Sequence, residues 1–530
     1  MVSSASAPAT DAGVEILRNG GNAVDAAVAT AFALAVTYPA AGNIGGGGFM
    51  IVRMADGRAA AIDYRETAPA RGSKEMFLDT AGNVIPNASK TGHRAVGVPG
   101  TVAGMVLAHE KFGKLPWKEI VAPAIRLARD GFPVSHSLAQ SLRGQEKRFA
   151  AYAASRRIFR AEEGALFRQP ELAATLTRIA SSGRAGFYEG ETAALLAKEM
   201  AAHGGLVSLD DLKNYQAVMR EPVRVSYRGY ELLSMPPASS GGFLLAHMLG
   251  ILSGYDLTKL GHNSSATYHL LIEAMKRAYA DRAAYFGDPA FVKVPLTGLL
   301  SPRYIDRRRS EIDENRATPS QQVREGQPPT KESSETTHFS VVDAADNAVS
   351  NTYTLRDGYG SGITVEGAGF LLNNVMDEFA AKAGAPNAFG FPAGEANTIA
   401  PGKRPISSQT PTIGVKQGKL AFVVGTPGGT TIPNTVLQVV LNLIDHGMNV
   451  QEAVDAPRIH HQWLPDEVQV ERYALSEDVI RALKAKGHQL VSPTRSRIIG
   501  MVHAIAIDPE TGVRLGASDA RSADGKAAGH

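Results

Sequence analysis

The chain has 530 residues, 44% of them hydrophobic and 20% charged, with a formal net charge of +3 and no cysteine. That length suffices for a large core, and the composition is ordinary for a soluble globular protein. The charge balance gives no ground for nucleic acid or an anionic membrane as partner, and the lack of cysteine excludes disulfides, thiol nucleophiles and Cys-based metal sites.

In chain order, residues Asp11 to Asn19 and Asn22 to Val36 are expected as helices broken at Gly20-Gly21. The second is expected to be buried, because Ala and Val occupy several of its faces. It is too short and too rich in Ala to span a bilayer, and no signal peptide is visible after Met1. Four glycines, Gly45 to Gly48, precede a strand that runs to Arg53. They call for close backbone approach. A phosphate-cradling loop would need a Lys and a helix behind it, and has neither. Ala59 to Tyr64 reads as the partner strand. Arg65, at its end, can hold a carboxylate with its planar fork, or pair locally with Glu66.

From Gly97 to about Gly287 the pattern is helical, with helices expected over Thr101–Phe112, Trp117–Asp130, Leu172–Ser182, Thr192–His203 and Ala266–Tyr285. One strand pair interrupts it, Val223–Tyr227 and Tyr230–Ser234, turning at Arg228-Gly229; Ser239 to Gly242 opens another helix. The run from about Arg307 to Glu335 is polar and rich in breakers, and reads as too polar to bury. It is a linker, a processing segment, or both.

At the end of that run lies Glu335-Thr336-Thr337-His338-Phe339-Ser340. Alternating apolar and β-branched residues through Asp343, a turn at Ala344–Asn347 and a second alternating run through Leu355 predict a hairpin. If the Glu335–Thr336 bond is cut, Thr336 carries a hydroxyl nucleophile and a free α-amine that can serve as its base. Uncut, it is an ordinary strand start.

Beyond the hairpin, Gly367–Leu372 is expected as a strand leading into Asn373 to Phe379. The loop Ala383–Gly394, with Phe389 and Phe391, has the composition of a lid. Strands Thr412–Lys416 and Leu420–Gly425 follow, then Thr426-Pro427-Gly428-Gly429 leading into a helix over Asn434–His446. The Gly428-Gly429 pair either presents bare N–H groups to developing negative charge or simply turns a strand into a helix. His460-His461 has no third ligand at a recognised spacing, so no metal is expected. Strands over Met501–Ile507 and Val513–Ala517 close the chain.

Together these stretches resemble the γ-glutamyltranspeptidase family of N-terminal-nucleophile hydrolases. The resemblance covers nearly the whole chain, through Gly20–Ala27, Gly45–Phe49, Arg65–Pro69, Thr336-Thr337-His338, Lys403–Ser408, Thr426–Gly429, His460–Pro465 and Gly516–Ser522. It implies a mixed α/β fold, a four-layer αββα sandwich. The precursor would be cut at Glu335–Thr336 into a large subunit, 1–335, with a processing segment at about 307–335, and a small subunit, 336–530, the two interlocked as one unit. It further implies Thr336 as nucleophile, Thr354 as the hydroxyl that tunes it, Gly428 and Gly429 as oxyanion hole, and Arg65, Ser407 and Ser408 as the clamp on a substrate α-carboxylate. No cofactor is implied. The reaction would pass a γ-glutamyl group, from glutathione or a similar amide, through a Thr ester to water, an amino acid or a peptide.

The chain departs from the family where the substrate α-ammonium is held. There the family uses an Asn, a Gln or Glu, and an Asp; this sequence has Arg356, Val375 and Glu378. Arg356 brings a fixed positive charge toward a substrate cation unless Glu378 or Asp357 neutralises it, and Phe389 replaces a lid Tyr. An alternative is therefore an acylase for glutaryl or cephalosporin-type amides on the same scaffold, and another is a catalytically silent binding protein. The resemblance places the protein in the periplasm or outside the cell.

Overall fold

The computed structural model describes residues 1–326, 337–382, 395–472, 474–491 and 498–530. Glu335, Thr336 and the loop with Phe389 and Phe391 lie outside the described residues. Two antiparallel sheets form the centre. The first has seven strands, in the order Lys526–Ala528, Val2–Ser4, Thr337–Val342, Ala348–Thr354, Gly47–Arg53, Ala59–Asp63 and Val218–Arg220. The second has six, in the order Arg514–Ser518, His503–Ile507, Lys419–Gly425, Thr412–Lys416, Tyr230–Ser234 and Val223–Tyr227. Both sheets combine strands from either side of residue 336, and the first interleaves them. Val2–Ser4 pairs with Thr337–Val342 and with Lys526–Ala528, and Tyr230–Ser234 pairs with Thr412–Lys416.

The sheets face each other across Phe49, Ile51, Leu233, Ile413, Val423 and Ile505. Alternation along each strand sends one set of side chains into this layer and the other toward helices. Helices Ala7–Arg18, Ala23–Thr37, Thr101–Phe112 and Trp117–Asp130 cover the first sheet, and Gly241–Leu252, Ser265–Tyr285 and Ile432–Ile444 the second. The result is the expected αββα sandwich. Ala23–Thr37 is buried along its whole length, because Ala on several faces lets sheet and helices approach it from all sides. Its start is fixed by Asn22, whose side chain accepts from the Val24 and Asp25 amides while Asp25 accepts from the Asn22 amide, a reciprocal cap worth about 1 kcal/mol.

One expectation fails. Gly367–Leu372 is not a strand; only Leu371 makes an isolated bridge, to Thr364. Gly367 and Gly369 stand at φ +76° and +74°, which an extended strand does not allow. The described part of the polar run, to residue 326, is exposed or half-buried at most positions, with a few buried exceptions. Arg307–Ser310 ends the helix Pro302–Ser310, and Arg308, Ser320 and Val323 are buried. Arg308 pairs with Asp281 at 3.1 Å, Asp466 accepts from the Ser320 amide at 2.8 Å, and Glu273 accepts from the Thr318 amide at 3.1 Å. Polar groups that find partners can be buried.

Candidate active site

The strand Thr337–Val342 lies inside the first sheet, with Thr337 opposite Tyr353 on the next strand. Thr337 and His338 are both buried. The His338 ring is engaged at both nitrogens, with the Thr352 hydroxyl at 2.8 Å and the Ser340 hydroxyl at 3.0 Å. Burial, and then the neighbouring His503, push its pKa well below that of a free imidazole, so it is neutral and committed. A base for chemistry at Thr336 is therefore better sought in that residue's own amine. Thr354 ends the adjacent strand opposite Gly47, and its hydroxyl accepts the Arg356 amide at 2.7 Å. Arg356 sits at φ +84°, an uncommon conformation for a residue with a side chain.

The glycine run supplies the closeness expected of it. A Cβ on Gly46 would meet the Thr354 carbonyl oxygen, and one on Gly45 the Leu371 carbonyl oxygen. This lets the strand Gly47–Arg53 bring Arg65 and Glu66, at the end of the neighbouring strand, near Thr354. Arg65 is fully buried. Its guanidinium pairs with Glu66 at 3.1 Å and with Glu378, its Nε donates to the Pro405 carbonyl at 3.4 Å, and its own carbonyl accepts from the Tyr215 hydroxyl at 2.8 Å. Burial raises the Glu66 pKa and the Arg65 charge pulls it back. Arg356 is buried too and pairs with Asp357 and Asp377. Val375, Asp377 and Glu378 lie on or beside one 3-10 turn, Val375–Glu378, so both guanidinium groups meet the same short element.

Ser407 and Ser408 follow Pro405, the residue that touches Arg65. Ser407 is held through its carbonyl, which accepts from the Ser240 amide at 2.8 Å, and the Ser408 hydroxyl accepts from Arg282 at 3.3 Å. Gly428 and Gly429 stand at φ +138° and +63°, between the strand Lys419–Gly425 and the helix Ile432–Ile444. Among the described residues neither amide has a hydrogen-bond acceptor. Two free N–H groups at the head of a helix are the donors an oxyanion needs. Gly425 packs against the His338 ring, where a Cβ would collide. The glycine loop thus leaves the second sheet level with the first residues after the Thr336 junction.

The fold therefore brings Arg65, Glu378 and the 405–408 segment together, and Arg356 beside them through the 3-10 turn. The sequence reading missed Asp377, which it quoted within Asn373 to Phe379 and gave no role. It also missed Arg282, an interior helix residue that carries no local signal. Among the described residues His460 and His461 share no ligand geometry; His460 contacts Asn434 and Gln462, and His461 contacts Asp466.

A model of the family described as Gamma-glutamyltranspeptidase matches residues 9–529. The chain is 48% identical over 537 residues to the glutathione hydrolase proenzyme of Escherichia coli (strain K12), covering 100% of this chain and 92% of that one. It is 40% identical over 514 residues to the acylase ACY 1 proenzyme of Pseudomonas sp. (strain V22), covering 95% and 88%. The crystal structure of cephalosporin acylase from Bacillus halodurans superposes with a TM-score of 0.88 at 30% identity, covering 100% of this chain and 95% of that one.

Proposed function

The chain belongs to the γ-glutamyltranspeptidase family and is a γ-glutamyl hydrolase and transferase; we propose that Thr336 carries the acyl group through both self-processing and turnover. In processing, the Thr336 hydroxyl attacks the Glu335 carbonyl carbon, the C–N bond breaks to free the Thr336 α-amine and leave an ester, and water then hydrolyses the ester to the Glu335 carboxylate and the Thr336 hydroxyl. In turnover, that amine takes the hydroxyl proton as Oγ attacks the γ-carbonyl. The Gly428 and Gly429 amides hold the oxyanion, the proton passes to the departing amine, and a γ-glutamyl ester remains for water or an acceptor amine. Residues 1–335 and 336–530 stay joined by the two shared sheets.

The observation that carries the substrate reading is the ion pair of Arg65 with Glu378. The substrate α-carboxylate replaces Glu378 on the Arg65 guanidinium, helped by the Ser407 and Ser408 hydroxyls, and Glu378 is freed for the α-ammonium. A zwitterion exchanges one pair for two. An acyl group with a carboxylate but no ammonium strands Glu378 unpaired in a buried site, which costs several kcal/mol. One observation favours the acylase reading: Val375, buried and apolar, cannot hydrogen-bond an ammonium.

Assaying a γ-glutamyl anilide beside the glutaryl anilide decides between them. Turnover of the γ-glutamyl compound is expected, with the glutaryl compound much slower; turnover of the glutaryl compound alone would reverse the assignment. We place the activity in the periplasm or outside the cell, which fractionation of the source cells checks. Among the described residues no helix is long and apolar enough to cross a membrane.

A further inference from the structure

Away from the acyl pocket, three side chains from two segments converge. Glu199 lies on the helix Gly190–Ala202, and His203 follows one turn later on the same face. His93 opens the short 3-10 turn His93–Ala95. The Glu199 Oε1 lies 2.9 Å from His93 Nε2 and 3.7 Å from His203 Nε2. The two imidazole rings are stacked, 4.6 Å apart at 23°. One ligand atom from each residue falls within 4.8 Å of both others.

Zn²⁺ bonded to nitrogen and oxygen at 2.0–2.1 Å sets tetrahedral ligand atoms about 3.3 Å apart. The His93–Glu199 pair is already near that spacing and is held by burial, with side chains 6% and 15% exposed. His203 is 55% exposed at the helix end and is free to close the remaining distance. Two imidazoles and a carboxylate are a borderline donor set suited to Zn²⁺ and wrong for Mg²⁺ or Ca²⁺.

We propose that His93, Glu199 and His203 form a Zn²⁺-binding site. Its position gives it a structural role. The turn His93–Ala95 packs on the turn Val375–Glu378. Two residues further on, Gly97 exchanges hydrogen bonds with Asn373, amide to Oδ1 and Nδ2 to carbonyl, both at 2.9 Å. A bound ion ties the helix Gly190–Ala202 to the segment that backs the acyl pocket, and touches no reacting atom.

The test uses full-length protein stripped with a chelator, desalted, and titrated with ZnCl₂ against a chromogenic competitor. The expected result is one ion per chain with a micromolar or tighter Kd, and with Co²⁺ the intense visible band of a four-coordinate site. His203→Ala is expected to weaken Zn²⁺ binding at least tenfold while leaving the denaturation midpoint of the metal-free protein unchanged. His262→Asn, which alters a separate pair formed with His446, is expected to leave binding intact. The site is refuted if no stoichiometric ion is taken up, if His203→Ala binds as tightly as the parent, or if uptake is lost in His262→Asn instead.

Discussion

The guanidinium of Arg356, which is buried, is paired with the carboxylate of Asp377, which is largely covered, its side chain 9% exposed. Asp357 takes a second arm of the same guanidinium. The positive charge that stands where the family has an Asn is therefore matched within the protein and does not face the substrate alone. Burial raises the Asp377 pKa and Arg356 pulls it back. Replacing Arg356 with Asn strands Asp377 without its counter-charge. Removing one partner of a buried pair costs about 3–5 kcal/mol, so Arg356→Asn should lower the urea midpoint markedly, and the double variant Arg356→Asn/Asp377→Asn should recover most of the loss. Equal midpoints for the single variant and the parent would mean that the pair is not formed in solution.

Glu378 makes a separable prediction, because its role changes when substrate arrives. Glu378→Gln keeps the shape and removes the charge offered to an α-ammonium. A hydrogen bond to a charged group contributes about 1.5–3 kcal/mol, so kcat/KM for a γ-glutamyl anilide should fall about 10- to 100-fold, mostly through KM. Activity on the glutaryl anilide should fall less or rise, since no carboxylate is then left stranded. An equal loss on both substrates would place Glu378 in Arg65 support alone.

How much of this was legible follows from where the partners lie in the chain. The hairpin was readable because both strands alternate and the turn is local, and the realised strands, Thr337–Val342 and Ala348–Thr354, differ from expectation only at their ends. Ala23–Thr37 was readable as buried because its composition carries the information. Gly367–Leu372 was misread because an apolar run looks the same in a strand and in a turn whose glycines take positive φ. The burial of Arg308 within the polar run was not readable, because its counter-charge, Asp281, sits on a distant segment. Arg65 was read as a carboxylate fork or a partner of Glu66; the pair with Glu66 is formed, and Glu378, distant in sequence, takes another arm of the same guanidinium. No local pattern joins His93 to Glu199 and His203, and only the i, i+4 half of that cluster has a sequence signature.

The proposed nucleophile is tested most directly by Thr336→Ala. With no hydroxyl to attack the Glu335 carbonyl, the purified variant should run as one full-length band on a denaturing gel and show no turnover. The parent should run as two bands, the smaller beginning Thr-Thr-His-Phe. Cleavage of the variant at the same bond would assign the attack to another group.

At the proposed oxyanion loop, Gly428 combines φ +138° with a neighbour, the Thr431 hydroxyl, that a Cβ would strike. Gly428→Ala must therefore shift the loop and re-aim its amide. Loss of one oxyanion donor costs about 10²- to 10³-fold in kcat, and a drop of that size is expected with KM little changed. Because the strain is local, the denaturation midpoint should move far less than for Arg356→Asn. A kcat within a few-fold of the parent would remove the Gly428 amide from the reaction.

Acid stability should depend on buried neutral histidines. His488 is pushed down to about 3 by burial and by the nearby Lys276 and His269 charges. His503 is pushed down to about 4 by burial, against the pull of Asp519. Unfolded, each titrates near the ordinary imidazole value of about 6.5. Above that pH both states are neutral and the native state keeps its full stability. As pH falls from about 6.5 toward 4, the unfolded chain binds protons that the native state refuses, so stability drops by up to about 1.4 kcal/mol per pH unit for each histidine. Below about 4 the His503 contribution levels off, while that of His488 continues toward 3. The depressed carboxyls of Asp466 and Asp519 add losses in the same direction, but only as pH falls through the carboxylate range. His488 Nε2 meets His269 Nδ1 at 2.8 Å, and the other His269 nitrogen meets the Asp313 carbonyl at 2.8 Å. The Asp313 carbonyl only accepts, so His269 Nε2 donates to it and His269 Nδ1 accepts from His488 Nε2; acid therefore adds its proton at the buried His488 Nδ1, beside the charge of Lys276. Urea midpoints measured from pH 7.5 to 4.5 should decline steadily below about 6.5, and His488→Gln should make that decline shallower. A flat profile between pH 7 and 5, or an unchanged slope in the variant, would show that these imidazoles are reached by solvent and protonate without loss of the fold.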